Sequence, residues 1–263
     1  RHTHAESGRS PRRRPGLLGK VGKKRTAKGR GHAADAASSV AAPIMKRGVK
    51  GVFSRKSSGS SASKFAEQLW DKYKDPKNEE SIGPEGVERF CEDVGLDPTD
   101  VLVLVFAWQL EAARMGYFSK DEWFTGLAKL RVSSLPEVKP ALQAIMEDLA
   151  AAAKSNHHDQ EAFRDFYGFA HKFSRDDNKK NVDTATACAL LGLIMAPIYP
   201  KHTEQFSRYL QKIDRMHGIN QDEWMCFWEL SRAIKEDCSD YADDGAWPIL
   251  LDEYVEWVQG GCK

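Results

Sequence analysis

Of the 26 Phe, Trp and Tyr residues in the chain, 25 lie beyond residue 63, and Phe53 alone lies before it. A segment without aromatics cannot bury enough apolar surface to offset the entropy lost on ordering. This confines the hydrophobic core to residues 64–263 and predicts a disordered tail over 1–63. Charge divides at the same place. The first 63 residues hold 16 Lys and Arg against two acids, Glu6 and Asp35, a net of +14; the remainder carries −13, and the whole chain +1. The 200 residues after the divide suffice for one sizeable core.

The tail carries two basic clusters about ten residues apart, PRRRP at Pro11–Pro15 and KKR at Lys23–Arg25. They suit a bipartite nuclear-import signal within residues 11–30, with nucleus and cytoplasm as the expected locations. Three other readings stay open. An Arg- and Ser-rich, acid-poor start also describes an organellar transit peptide, a cationic tail binds nucleic acid without sequence preference, and a solvated linker needs no addressee. Residues 36–63 are rich in Ala, Ser and Gly, as a flexible spacer would be. The chain opens on Arg1 rather than Met, so its start is expected to be incomplete or processed. The longest apolar runs, such as Val101–Trp108, fall well short of the ~20 residues of a membrane span. Five cysteines, an odd number with no CxxC pair, point to a reducing compartment. Cys91, Cys188 and Cys226 occupy apolar helical positions, whereas Cys238, in KEDCSDY, is the least core-like of the internal thiols.

Beyond residue 63, apolar residues recur at i, i+3, i+4 and i+7. Phe65, Leu69 and Tyr73 form one stripe; Val87, Phe90, Cys91 and Val94 form another, opened by Pro84 and stopped by Gly95. The nearly all-apolar run between Pro98 and Met115 suits a central buried helix. Ser119 with Glu122, and Asn220 with Glu223, have the spacing of capping boxes. Further helices are expected near 136–155, 159–174, 184–195, 202–213, 221–238 and 248–258, the last with Pro248 as its first residue. The class is all-α.

A degenerate repeat runs through this pattern. Gly116, Phe118 and Glu122 have the spacing of positions 6, 8 and 12 of an EF-hand loop, but positions 1, 3 and 5 are Glu111, Ala113 and Met115. Ile82, Val182 and Ile219 occupy comparable apolar positions, with Gly86, Thr186 and Glu223 at position 12. Two helix–loop–helix pairs, each with its loops joined by a short ladder, would account for the spacing. Calcium needs six to eight oxygen ligands, and none of these loops offers a full set. No metal site, cofactor or catalytic residue is expected. The sequence has no phosphate-binding glycine loop, no HExxH and no GxSxG, and acidic neighbours raise rather than lower the Cys238 thiol pKa.

Three segments together resemble a known family. They are GPEGVERFCED at Gly83–Asp93; Ala107-Trp108 with MGYFS at Met115–Ser119 and Glu122-Trp123; and SDYADDGAWPILLDEYVEW at Ser239–Trp257. They are similar to the potentiating-neddylation domain of the defective-in-cullin-neddylation family, over about residues 64–258. The likeness is nearest to members with a basic, nuclear-type N-terminus and no ubiquitin-associated domain. It implies two EF-hand-like pairs in one compact domain, and a non-catalytic, non-RING ligase scaffold that promotes transfer of a ubiquitin-like modifier to cullins. The implied partners are a cullin C-terminal winged-helix domain, the acetylated N-terminus of the conjugating enzyme, and a RING protein indirectly. Neither specific nucleic acid nor membrane is implied. Residue by residue, the family's cullin-binding patch falls on Asp222, Ala246 and Asp252. Its pocket for the conjugating enzyme falls on Val87, Val103, Phe106, Ala107, Met115, Phe118, Phe173 and Leu193. A generic EF-hand-like interaction module without calcium is the competing expectation.

Overall fold

The computed structural model describes residues 61–155, 160–176, 178–242 and 247–262, all within the unit Arg55–Lys263. The import signal and the spacer expected in the tail lie outside the described residues, except that the first helix already begins at Ser61.

Two helix pairs open the described unit. Helices α1 (Ser61–Tyr73) and α2 (Pro84–Val94) flank a loop holding strand β1 (Ser81–Ile82). Helices α3 (Val101–Gln109) and α4 (Lys120–Leu130) flank a loop holding strand β2 (Phe118–Ser119). The strands pair antiparallel with Ile82 opposite Phe118, the two apolar residues whose spacing suggested a ladder. Helix α5 (Leu135–Lys154) packs on α2, α3 and α6 (Gln160–Phe173). The second set comprises α6 with α7 (Thr184–Ile194), then α8 (Pro200–Ile213) with α9 (Gln221–Ala233). Its loops meet through Val182 and Ile219, which exchange both backbone bonds at 3.0 and 2.8 Å. Helix α10 (Ile249–Gln259) packs on α8 and α9. The all-α class and the two joined pairs are as the sequence predicts.

The helix starts follow from local chemistry. Ser119 and Asn220 each close a full capping box with the Glu three residues on, satisfying two orphan amides apiece. Asp100 caps α3 through the Leu102 amide at 2.9 Å. Gly95 ends α2 in the left-handed conformation, and the Leu96 amide reaches back to the Cys91 carbonyl at 2.8 Å. Gly218 has a φ of +64°, and a Cβ there would sit 2.1 Å from the Val182 carbonyl oxygen, so the second ladder requires a glycine.

Buried aromatics fill both pairs. Tyr73, Phe90, Phe106 and Phe118 surround Trp123 with ring centroids 5.3–6.4 Å away. Tyr167 stacks on Trp224 at 4.5 Å, and Phe206 on Phe227 at 4.1 Å. Trp123 donates to the Ala66 carbonyl at 3.2 Å and Trp224 to the Tyr167 carbonyl at 2.9 Å. Both bonds span 57 positions and both tryptophans follow a capping box, so the second pair repeats the internal wiring of the first.

Three boundaries differ from expectation. The apolar run after Pro98 is helical only to Gln109, because Glu111 turns left-handed (φ 53°) and the Ala112 amide bonds the Ala107 carbonyl, freeing 111–116 to form the loop that feeds β2. Helix α9 stops at Ala233 rather than near 238. Ile234 is extended, and the Asp- and Ser-rich stretch beyond it makes its own turns, with Asp240 accepting from the Lys235 amide at 2.8 Å. Pro248 is the N-cap of α10, not its first residue: its ψ of 143° is extended, and Ile249 begins the helix. Among the described residues no helix is long and apolar enough to cross a membrane.

Candidate functional site

The loop carboxylates that a calcium site would use are engaged by the protein itself. Glu122 accepts from the Ala113 amide at 2.9 Å and the Ser119 amide at 2.7 Å. Glu223, buried at the corresponding place, accepts from the Asn220 amide at 3.0 Å and pairs with the Arg215 guanidinium at 2.8 Å. A fixed guanidinium thus supplies, inside the second loop, the positive charge that a metal would supply.

Next to this closed loop the acids are differently placed. Asp222, in the first turn of α9, is exposed, and its one described neighbour is the Cys226 thiol at 4.0 Å. Asp252, in the first turn of α10, is half-buried and accepts from the Tyr241 hydroxyl. Its neighbour Glu253 accepts from the Tyr209 hydroxyl at 3.2 Å, and burial together with this carboxylate pushes the Tyr209 pKa up to about 12. Neutral hydroxyls therefore hold Asp252 and Glu253 in position without cancelling their charge. Both helix starts also lie at the positive ends of helix dipoles, which stabilise such anions by about 0.3–1 kcal/mol each.

The fold brings the two starts together. Helices α9 and α10 pack on each other, and Ile213, Arg215, Glu223, Ile249, Leu250 and Glu253 line a shared hollow of about 470 Å³. Ala246, the third residue of the patch implied by the resemblance, lies outside the described residues.

The eight residues of the second implied surface separate by burial. Phe106 and Phe118 are 1% and 2% exposed and touch edge to face at 5.6 Å, deep in the first aromatic cluster; Ala107 is equally buried. Val87, Val103 and Phe173 are half-buried at the margin of the core, and Phe173 stacks on Phe169 at 4.9 Å. Met115 and Leu193 are exposed at 54% and 36%. Val87, Val103, Met115 and the buried trio belong to the first pair. Phe173 and Leu193 belong to α6 and α7, which pack on each other, with α3 packed against α6. By burial, the exposed and half-buried members could meet a ligand, whereas Phe106, Ala107 and Phe118 are enclosed in the core.

Cys238 corrects the sequence reading of its environment. It is fully buried, because the turn after α9 tucks under α10, where the Gln259 amide donates to the Cys238 carbonyl at 2.9 Å. Burial first, then Asp237 and Asp240, push its thiol up to about 11. Cys188 and Cys226 are half-buried rather than fully enclosed. Sequence reasoning missed Arg215, Tyr209, Tyr241 and Ile249. Their partners are 8, 44 and 11 positions away or, for Ile249, on other helices, and no periodicity reports such pairings.

Comparison with known proteins identifies the family. Residues 144–257 match the family described as Cullin binding. DCN1-like protein 2 of Dictyostelium discoideum is 43% identical over 69% of this chain and 65% of that protein, so the chain spans slightly less than two thirds of that relative. DCN1-like protein 5 of Rattus norvegicus is 36% identical over 68% of the chain and 71% of that protein. DCN1-like protein 4 of Drosophila melanogaster is 36% identical over 72% and 73%. The chain therefore belongs to the DCN1-like protein family, and its cullin-binding match falls on the part of the molecule that carries both acidic helix starts.

Proposed function

We propose that the chain is a non-catalytic scaffold that promotes transfer of a ubiquitin-like modifier to a cullin. The observation that carries the reading is the pair of adjoining helix starts whose carboxylates, at Asp222, Asp252 and Glu253, have no cationic partner among the described residues. Such carboxylates suit a partner that presents Lys and Arg. Asp222, Ala246 and Asp252 contact the cullin's C-terminal winged-helix domain. Val87, Val103, Met115, Phe173 and Leu193, over Phe106, Ala107 and Phe118, receive the acetylated N-terminal Met of the conjugating enzyme. A RING protein shares the work without touching the site. The rate gain comes from proximity, because holding the charged thioester beside the acceptor lysine raises its effective concentration without adding a reacting group. The basic tail directs the protein to the nucleus as well as the cytoplasm.

Two titrations test the reading. The cullin C-terminal domain should bind the full chain, and Asp222→Lys should weaken that binding at least tenfold, since like charges at an interface oppose each other by several kcal/mol. The conjugating enzyme's N-terminal peptide should bind at least ~10-fold more tightly when acetylated, because an apolar site disfavours a free ammonium. Unchanged cullin binding by the variant would remove the acidic patch; equal peptide affinities would remove the second surface.

A further inference from the structure

We propose that Cys238 and Cys262 form a reversible disulfide within the chain under oxidation, tying the turn that follows α9 to the residues just past the end of α10. The pair is a redox latch, open in the reduced chain, where both cysteines are free thiols.

The fold brings the two thiols into one neighbourhood. At the end of α10 the Gly261 amide bonds the Val258 carbonyl at 3.0 Å and the Cys262 amide bonds the Trp257 carbonyl at 2.9 Å. This is the Schellman closure, which folds its last residue back against the helix it follows. Cys262 is half-buried there and packs on the core. Cys238 arrives from the turn after α9. Its carbonyl accepts from Gln259 Nε2 at 2.9 Å, three positions before Cys262, and its side chain is fully buried. Tyr254, fully buried on α10 two turns before Cys262, is their shared neighbour. Burial first, and then both thiols, push the Tyr254 hydroxyl well above its ordinary value, and Cys262 adds to the burial and the Asp237 and Asp240 charges that raise Cys238. Charges act on one another in this way at short range. The half-buried thiols elsewhere face other groups, Cys188 the Ser207 carbonyl at 3.9 Å and Cys226 the Asp222 carboxylate at 4.0 Å.

Both cysteines lie outside helices, with φ of 55° and 59°, so closing a bond between them asks no helix to unwind. Their exposure divides the chemistry. Hydrogen peroxide reaches the half-exposed Cys262 first: its sulfur takes one oxygen, the O–O bond breaks, and water leaves behind a sulfenic acid. The Cys238 sulfur then attacks the Cys262 sulfur. The S–O bond breaks, and the hydroxyl departs with the Cys238 proton as water. In sum, two thiols and one peroxide give one disulfide and two waters. The bridge closes a loop of about two dozen residues that contains all of α10, which stabilises the fold by restricting the unfolded chain. A disulfide that forms and reopens in this way is the kind found in reducing compartments.

Peptide mapping and thermal melts of the full chain test the latch. Treated with a small excess of hydrogen peroxide and digested without reduction, the chain should yield a peptide that joins Cys238 to Cys262 and lacks one hydrogen from each thiol. The oxidised chain should melt several degrees above the reduced one, and dithiothreitol should reverse both changes. Cys262→Ser, at a half-exposed position, should melt like the reduced wild type and give neither the linked peptide nor the upward shift. Cys226→Ser should retain both. The oxidised and reduced wild type decide the matter without any variant, so a substitution that fails to fold does not blunt the test. Cys262 recovered as a sulfinic acid, or in a bridge between two chains with Cys238 still reduced, would overturn the latch. An internal bridge that leaves the melting temperature unchanged or lowers it would overturn it as well.

Discussion

Glu223 and Asp222 are adjacent acids in the same helical turn with different employments. Glu223 is buried, closes a capping box and neutralises Arg215; Asp222 points outward and touches only a thiol among the described residues. The first holds the loop shut, and the second is free to meet a partner. A capping-box spacing announces Glu223 in the sequence, and the family likeness announces Asp222, but nothing local announces Arg215, because an Arg in a loop reads as solvated. His171 is a further residue with a global consequence. It is fully buried on α6, and its Nε2 lies 2.9 Å from the Ile219 carbonyl, beside the second ladder. Burial holds its pKa below the ordinary 6.5, offset in part by the Ile219 bond and Glu223 and reinforced by Arg175. Below about pH 6.5 the unfolded chain therefore takes up a proton that the folded chain refuses, so stability is fully present above that pH and declines as pH falls through it. Denaturant midpoints between pH 7.5 and 5 should drop more steeply for the wild type than for His171→Gln, which keeps a donor but cannot titrate. Equal slopes would mean that the buried ring contributes nothing. His202, also buried and shifted downward, leaves a residual slope in the variant.

At the scale of elements, what the sequence discloses is what a single helix or loop decides for itself. Both capping boxes, the glycine stop after α2 and the apolar partners Ile82, Phe118, Val182 and Ile219 are legible because each depends on residues a few positions apart. The ends of α3 and α9 are not legible, because tertiary geometry sets them: β2 needs residues 111–116 unwound, and α10 needs the Cys238 turn beneath it. Of the implied pocket, Phe106, Ala107 and Phe118 read equally well as core from their spacing, and they are buried in it. The ladder's dependence on Gly218 is open to test. Gly218→Ala combines a positive φ with a Cβ 2.1 Å from a carbonyl oxygen, so it should cost about 2–3 kcal/mol and lower the melting temperature by several degrees. A variant as stable as the wild type would show that the Val182–Ile219 bridge is not a fixed joint.

At the scale of the molecule, the fold keeps the spacing of calcium loops but engages their acids internally. Its position-12 glutamates are occupied by backbone amides and by Arg215, so millimolar calcium should leave the melting temperature unchanged and give no saturable heat in calorimetry. A clear binding isotherm would return the loops to a sensing role. The central claim concerns transfer, and a reconstituted reaction addresses it most directly: the initial rate at which the charged conjugating enzyme, with its RING partner, modifies a cullin, measured without the chain, with the wild type and with Asp222→Lys/Asp252→Lys. The wild type should accelerate transfer. The double variant should fold, losing about 1 kcal/mol at the exposed Asp222 and more at the half-buried Asp252, which gives up the Tyr241 hydroxyl, yet return the rate to its value without the chain. A folded double variant that accelerates transfer as well as the wild type would contradict the account.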